Sequence, residues 1–242
     1  MSPDAEAPSR PVESSPRRAV FIVTRLLVAA GLVAALAVTF AGSWSDWTRV
    51  GYSDLGTLVT NFWSYFTVES NAVAAVVLVI GAFTLARRHV PDPAWFGILR
   101  ACAVVFMTVT GIVYNLLLRG IAVSGAAEDP HPWTNEVLHV IGPIYLVLDW
   151  ILAPGRRPLE WKRLATILAF PLVWVVYTLV RGPLVYDQVR EQDTWYPYPF
   201  LNPALSANGY LSVTFYVILI AVVFGGVGAL VIWVSRRNSR RH

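Results

Sequence analysis

The sequence holds one cysteine, one lysine and few charged residues of any kind. Cys102 stands alone among 242 residues, which excludes an intrachain disulfide framework and a cysteine-rich metal site. Charged residues make up only 14% of the chain, where a soluble domain carries about 25%. That shortfall excludes an ordinary soluble enzyme and a disordered chain. The formal net charge is +4, yet the basic residues fall between long apolar runs and form no stripe with interleaved aromatics. Nucleic-acid binding is therefore excluded as well. Lys162 is the only lysine among 19 basic residues; with the abundant Ala, Val, Gly and Pro, this bias points to a high-GC bacterial genome.

What remains is apolar sequence in bilayer-sized pieces. A membrane helix needs about 20 mostly apolar residues, and six stretches qualify: 19–41, 58–86, 95–118, 135–153, 164–181 and 210–234. The expected fold is all-α, a polytopic bundle of six transmembrane helices. Residues 1–18 read as a disordered tail and 235–242 as a basic one, flanking a transmembrane domain over 19–234. The first stretch is too long for a signal-peptide core and reads as a retained span.

Arginine and lysine are unevenly shared between the two sides of these spans. One side collects Arg10, Arg17, Arg18, Arg25, Arg87, Arg88, Arg100, Arg156, Arg157, Lys162, Arg163, Arg236, Arg237, Arg240 and Arg241. The other has Arg49, Arg119, Arg181 and Arg190. The positive-inside rule then puts both termini in the cytoplasm of a multi-pass protein of the bacterial plasma membrane. Trp44, Trp47, Trp133 and Trp195 mark the outer interface, and Trp95, Trp150, Trp161 and Trp233 the inner one.

With that orientation, polar residues on four spans share one level, about 10 Å below the outer surface at 1.5 Å per residue. They are Thr67, His139, Tyr114 with Asn115 and Arg119, and Tyr177 with Arg181. Thr60, Ser64, Thr67, Asn71 and Ala74 follow a 4-3-4-3 spacing that aligns them on one helix face. Thr108, Gly111, Asn115 and Arg119 form a second such stripe. Either stripe reads equally as a small-residue packing face. Glu69 is expected to be protonated or ion-paired with Arg119 or Arg181. Asp149-Trp150 reads as an interface anchor.

A threonine hydroxyl attacks a carbonyl once a base takes its proton, and imidazole is the usual base. Thr67 and His139 therefore form a candidate nucleophile and base for lipid-ester hydrolysis. Asn135 or Glu136 would hold the imidazole tautomer. Asn71, Tyr114, Asn115 or Arg181 would supply hydrogen bonds to an oxyanion, with Ser64 as a further supporting residue. One histidine without nearby ligands excludes zinc, and no cofactor is expected. Membrane lipid and an amphiphilic ester are the expected partners. The competing readings are a lipid-binding membrane subunit and a small-solute carrier that uses Glu69 and an outer-level arginine; no internal repeat of the kind carriers show is visible.

Three motifs carry a family resemblance. They are Asn61-Phe62-Trp63-Ser64-Tyr65-Phe66-Thr67-Val68-Glu69-Ser70-Asn71, the run Asn135-Glu136-Val137-Leu138-His139 continuing to Pro143 and Asp149-Trp150, and Tyr196-Pro197-Tyr198-Pro199-Phe200. Over residues 19–234 the chain resembles the androgen-induced-gene-like membrane proteins, in particular a bacterial branch of six-helix proteins. The resemblance implies an all-helical bundle. Because the animal members are threonine hydrolases of fatty acid esters of hydroxy fatty acids, it marks Thr67 and His139 as the catalytic pair. The residues after the threonine, Glu69-Ser70-Asn71, depart from the animal pattern.

Overall fold

A computed structural model describes residues 16–87, 91–120, 131–206 and 208–237. Most of the expected N-terminal tail and the end of the basic C-terminal one lie outside these residues; Pro16 already belongs to the first helix. The described residues form no named strand, and six helical segments are long and apolar enough to cross a membrane. The protein is a multi-pass helical membrane protein.

Helix α1 (Pro16–Val50) runs past the expected end of the first span and stops at Gly51, whose φ of +82° suits a residue without a Cβ. Asp54 then caps the short α2 (Leu55–Trp63) by accepting from the Thr57 N–H at 2.9 Å. Tyr65 is extended (φ −73°, ψ 125°), so the second expected span is broken there and α3 (Phe66–Ala86) begins afresh. This break separates Thr60 and Ser64 from Thr67 and Asn71, so the first polar stripe does not lie on one continuous helix face.

The third span, α4 (Ala94–Val113), ends in a π turn over Tyr114–Leu118. The fourth is composite: α5 (Pro132–Glu136), a π turn over Val137–Ile141, and α6 (Gly142–Leu152). Helices α7 (Arg163–Arg181) and α8 (Tyr210–Arg237) complete the bundle. Helices α3 and α4 lie at the centre. Helix α1 packs along α3, α4 meets α6 and α8, and α7 rests against α8. The outward faces carry Leu27, Val33, Phe83, Val173, Leu211 and Val222, each more than half exposed, an apolar surface suited to lipid tails.

One end of the bundle is tied by charges that the sequence reading treated as interfacial. Arg25, Arg100, Asp92 and Asp149 are each at most 2% exposed. Arg25 grips both Asp149 carboxylate oxygens (2.8 and 3.1 Å) and donates to Gly81 O at 2.7 Å. Arg100 joins Asp149 at 2.9 Å and Asp92 at 2.9 Å. Two cations thus face two anions, and α1, α3, α4 and α6 are tied at one point. Asp149 is not an interface anchor. Trp150 is buried too, donating to Val231 O, and Trp195 is buried at the other end of the bundle. Lipid does not reach Asp149 because its partners, 49 and 124 residues away, enclose it.

Candidate functional site

Thr67 lies in the first turn of α3, directly after the Tyr65 break. Its Oγ1 is 3.2 Å from the hydroxyl of Tyr198, which also accepts from the Thr67 N–H at 3.2 Å. Tyr198 belongs to the proline-rich loop after α7, and its ring stacks on Phe200 and meets Tyr65 edge-on. Burial pushes its phenol up to about 12, so it stays protonated and able to donate at neutral pH. The sequence reading did not single out Tyr198. Its link to Thr67 spans 131 residues; the prolines of Tyr196-Pro197-Tyr198-Pro199-Phe200 and the motif resemblance mark the loop, but not this residue.

His139 sits in the π turn that precedes Pro143. Its Nδ1 lies 3.0 Å from Asn135 O; a hydrogen bond donated there leaves the lone pair on Nε2. The ring stacks on Tyr114 at 3.9 Å. Asn135 and Glu136 do not hold the imidazole through their side chains, as expected from spacing, but act one step out. Asn135 donates to Tyr114 OH at 2.6 Å, and Glu136 pairs with Arg119 at 2.9 Å.

The π turn has a local cause. Pro143 has no N–H and so leaves the carbonyl of His139 without its helical donor. The wide turn lets the Gly142 N–H bond to Val137 O, which frees Leu138 O. Asn115 Nδ2 fills the first vacancy at 3.3 Å and Asn71 Nδ2 the second at 3.2 Å. Close approach is required: a Cβ on Gly111 would lie 3.0 Å from Pro143 and 3.2 Å from His139 O. The second stripe thus supports the histidine turn by packing.

These bonds also remove most of the expected oxyanion donors. Asn71 and Asn115 are spent on backbone carbonyls. Arg181 donates to Asn61 at 2.7 Å and lies over Trp195. Ser64 is shared between Thr60 O and Tyr177. The Glu69 ion pair is not formed: Arg119 pairs with Glu136, Arg181 donates through Nη2 to Asn61 while its Nη1 stays unpartnered, and Glu69 Oε2 has no hydrogen-bond partner.

Thr67, Tyr114, Asn135, His139 and Tyr198 line one chamber of about 980 Å³, together with residues of the 187–205 loop. No hydrogen bond joins Thr67 to His139 among the described residues; they share this space. The loop is pinned by the Trp195 N–H to Gly182 O bond (3.0 Å) and by Tyr196 packing over Gly182. A Cβ on Gly182 would collide with the Tyr196 ring. Gly182→Ala is therefore expected to cost about 1–3 kcal/mol and to loosen the loop over the chamber. A thermal-unfolding series in detergent measures this, and an unchanged midpoint would show that the loop is not held there. Among the described residues no cluster of histidine, cysteine and carboxylate groups is arranged to hold a metal. Compared with known family models, curated proteins and solved structures, the chain matches none.

Proposed function

We propose that this protein is a threonine-type hydrolase of lipid or fatty-acid esters, working in the outer leaflet of a bacterial plasma membrane with both termini cytoplasmic. The arginine asymmetry supports the orientation, and the motif resemblance marks the same two residues. The observation that carries the reading is the shared chamber: a helix-terminal threonine and a histidine with a free Nε2 line one space whose walls are mostly apolar with polar groups among them.

In the reaction, Thr67 Oγ attacks the ester carbonyl carbon while its proton passes to His139 Nε2, directly or through one water. The negative charge that develops on the carbonyl oxygen is met by the Tyr198 O–H, whose hydroxyl lies 3.2 Å from Thr67 Oγ1. The carbon–alkoxy oxygen bond breaks, and the alcohol leaves with the proton from His139. Water then attacks the acyl-threonine, the carboxylic acid departs and the threonine is restored.

The test is labelling of the purified full-length protein by a fluorophosphonate, which reacts with activated hydroxyls. Wild type is expected to label, Thr67→Ala not at all and His139→Ala at least about 10²-fold more slowly, whereas Glu69→Gln labels normally. Labelling that survives Thr67→Ala removes the nucleophile. Loss of labelling in Glu69→Gln would favour a site organised around the carboxylate.

A further inference from the structure

Beside the chamber runs a second cavity, a slot of about 120 Å³, and the two share Thr67, Tyr114, Leu118 and Tyr198. We infer that this slot is a lateral port: the acyl chain of a membrane-resident ester enters it from the bilayer, between α7 and α8, and brings the carbonyl to Thr67. This inference rests on the hydrolase reading above. It adds the route by which substrate arrives and the side of the ester that the slot holds.

The slot lies between α4, α7 and α8, and its walls reach the lipid-facing surface. Leu172 on α7 is 54% exposed and Ala221 on α8 is exposed as well; both line the slot. Pro171, next to Leu172 inside α7, has no N–H for the Ile167 carbonyl, and helices bend at such a residue. Toward the bundle interior the slot is closed. The Phe66 and Phe224 rings line that side 5.5 Å apart, and Phe106 backs them 5.8 Å from Phe66. All three are buried. A chain in the slot therefore continues toward the bilayer and not into the core.

Hydrocarbon is the chemistry that the slot accepts. Away from Thr67 and Tyr198, its polar side chains are committed to partners outside it. Thr110 Oγ1 lies 3.0 Å from Ser70 Oγ, Tyr114 accepts from Asn135 at 2.6 Å, and the Trp174 N–H donates to Ser64 O at 3.1 Å. A polar or charged substituent there would lose its water and gain no free partner, whereas an alkyl chain exchanges one apolar surrounding for another. His139 tells the two sides of the ester apart, because it lines the chamber and not the slot. The leaving alkoxy oxygen takes its proton from Nε2, so the alcohol lies on the chamber side and the acyl chain on the slot side. The port sets no requirement on the alcohol.

The experiment uses the full chain in lipid nanodiscs with two esters of one alcohol: 4-nitrophenyl butyrate, which is water-soluble, and 4-nitrophenyl palmitate, which partitions into the bilayer. Ala221→Trp and Leu172→Trp plug the port from its two lips. Val222→Trp places the same bulk on the next residue of α8, which is 67% exposed and outside the slot. Each plug is expected to lower the palmitate-to-butyrate ratio of kcat/KM by at least about tenfold, while Val222→Trp keeps it within about twofold of wild type. Thermal unfolding and residual butyrate turnover show which variants are folded. Because both esters release the same alcohol, and partition is the same for every variant, the ratio reads the acyl side. A ratio unchanged in either folded plug, or lowered equally by Val222→Trp, overturns the port while leaving the hydrolase. So does a wild type that cleaves butyrate and not palmitate. If wild type cleaves neither ester and Thr67 is not labelled, the hydrolase reading fails and this one with it.

Discussion

If the proposed reaction holds, Thr67→Ala is expected to lower ester hydrolysis by at least about 10³-fold, because the hydroxyl that would form the acyl intermediate is gone and only binding and oxyanion donors remain. The loss should appear in kcat with little change in KM, since substrate contacts lie mainly in the slot and chamber. The fold should survive. Thr67 is half-buried and its side chain makes a single 3.2 Å bond to Tyr198, worth about 1 kcal/mol. Thr67→Ser keeps the hydroxyl and is expected to retain measurable turnover. Steady-state kinetics on a short soluble ester, with thermal unfolding as the folding control, checks both. Turnover by Thr67→Ala within tenfold of wild type would mean that water, activated by another group, attacks the ester directly.

The largest stability effect is expected from Asp149→Ala. Its carboxylate lies between Arg25 and Arg100, all three at most 2% exposed. Removal leaves two buried guanidinium groups with only Asp92 to answer them. Breaking a buried pair in this way costs about 3–5 kcal/mol, which for a chain of this size lowers the unfolding midpoint by roughly 6–20 °C. Because the network is distant from Thr67 along the helices, protein that remains folded should still be labelled by a fluorophosphonate. Combining Asp149→Ala with Arg25→Leu should recover part of the loss, since one stranded charge is removed with its partner. A midpoint within about 2 °C of wild type would show that the four charges do not hold the bundle together.

The six spans were legible in the sequence because a bilayer demands long apolar runs and the chain has little else. Their interruptions were only half legible. Gly142 and Pro143 are residue types at which helices bend, and Pro143 explains the freed carbonyl of His139. The π geometry, however, depends on Asn71 and Asn115 reaching in from α3 and α4. The break at Tyr65 carried no such signal, since no glycine or proline lies between Phe62 and Phe66. Thr67 and His139 were found by depth, which is local arithmetic along each helix. Their supporting groups were misjudged where a neighbour at helical spacing was preferred to a partner from another span, as with Asn135 and Glu136 beside His139.

By itself the sequence determined that this is a bundle of six apolar helices, and which residue types stand at one level across it. Both follow from the cost of exposing polar groups to lipid, a property each segment carries alone. The tertiary structure decided which polar groups meet: Tyr198 with Thr67, two asparagines with the histidine turn, Asp149 with two arginines. In an apolar interior each donor must find an acceptor, and the one it finds is set by how the helices pack.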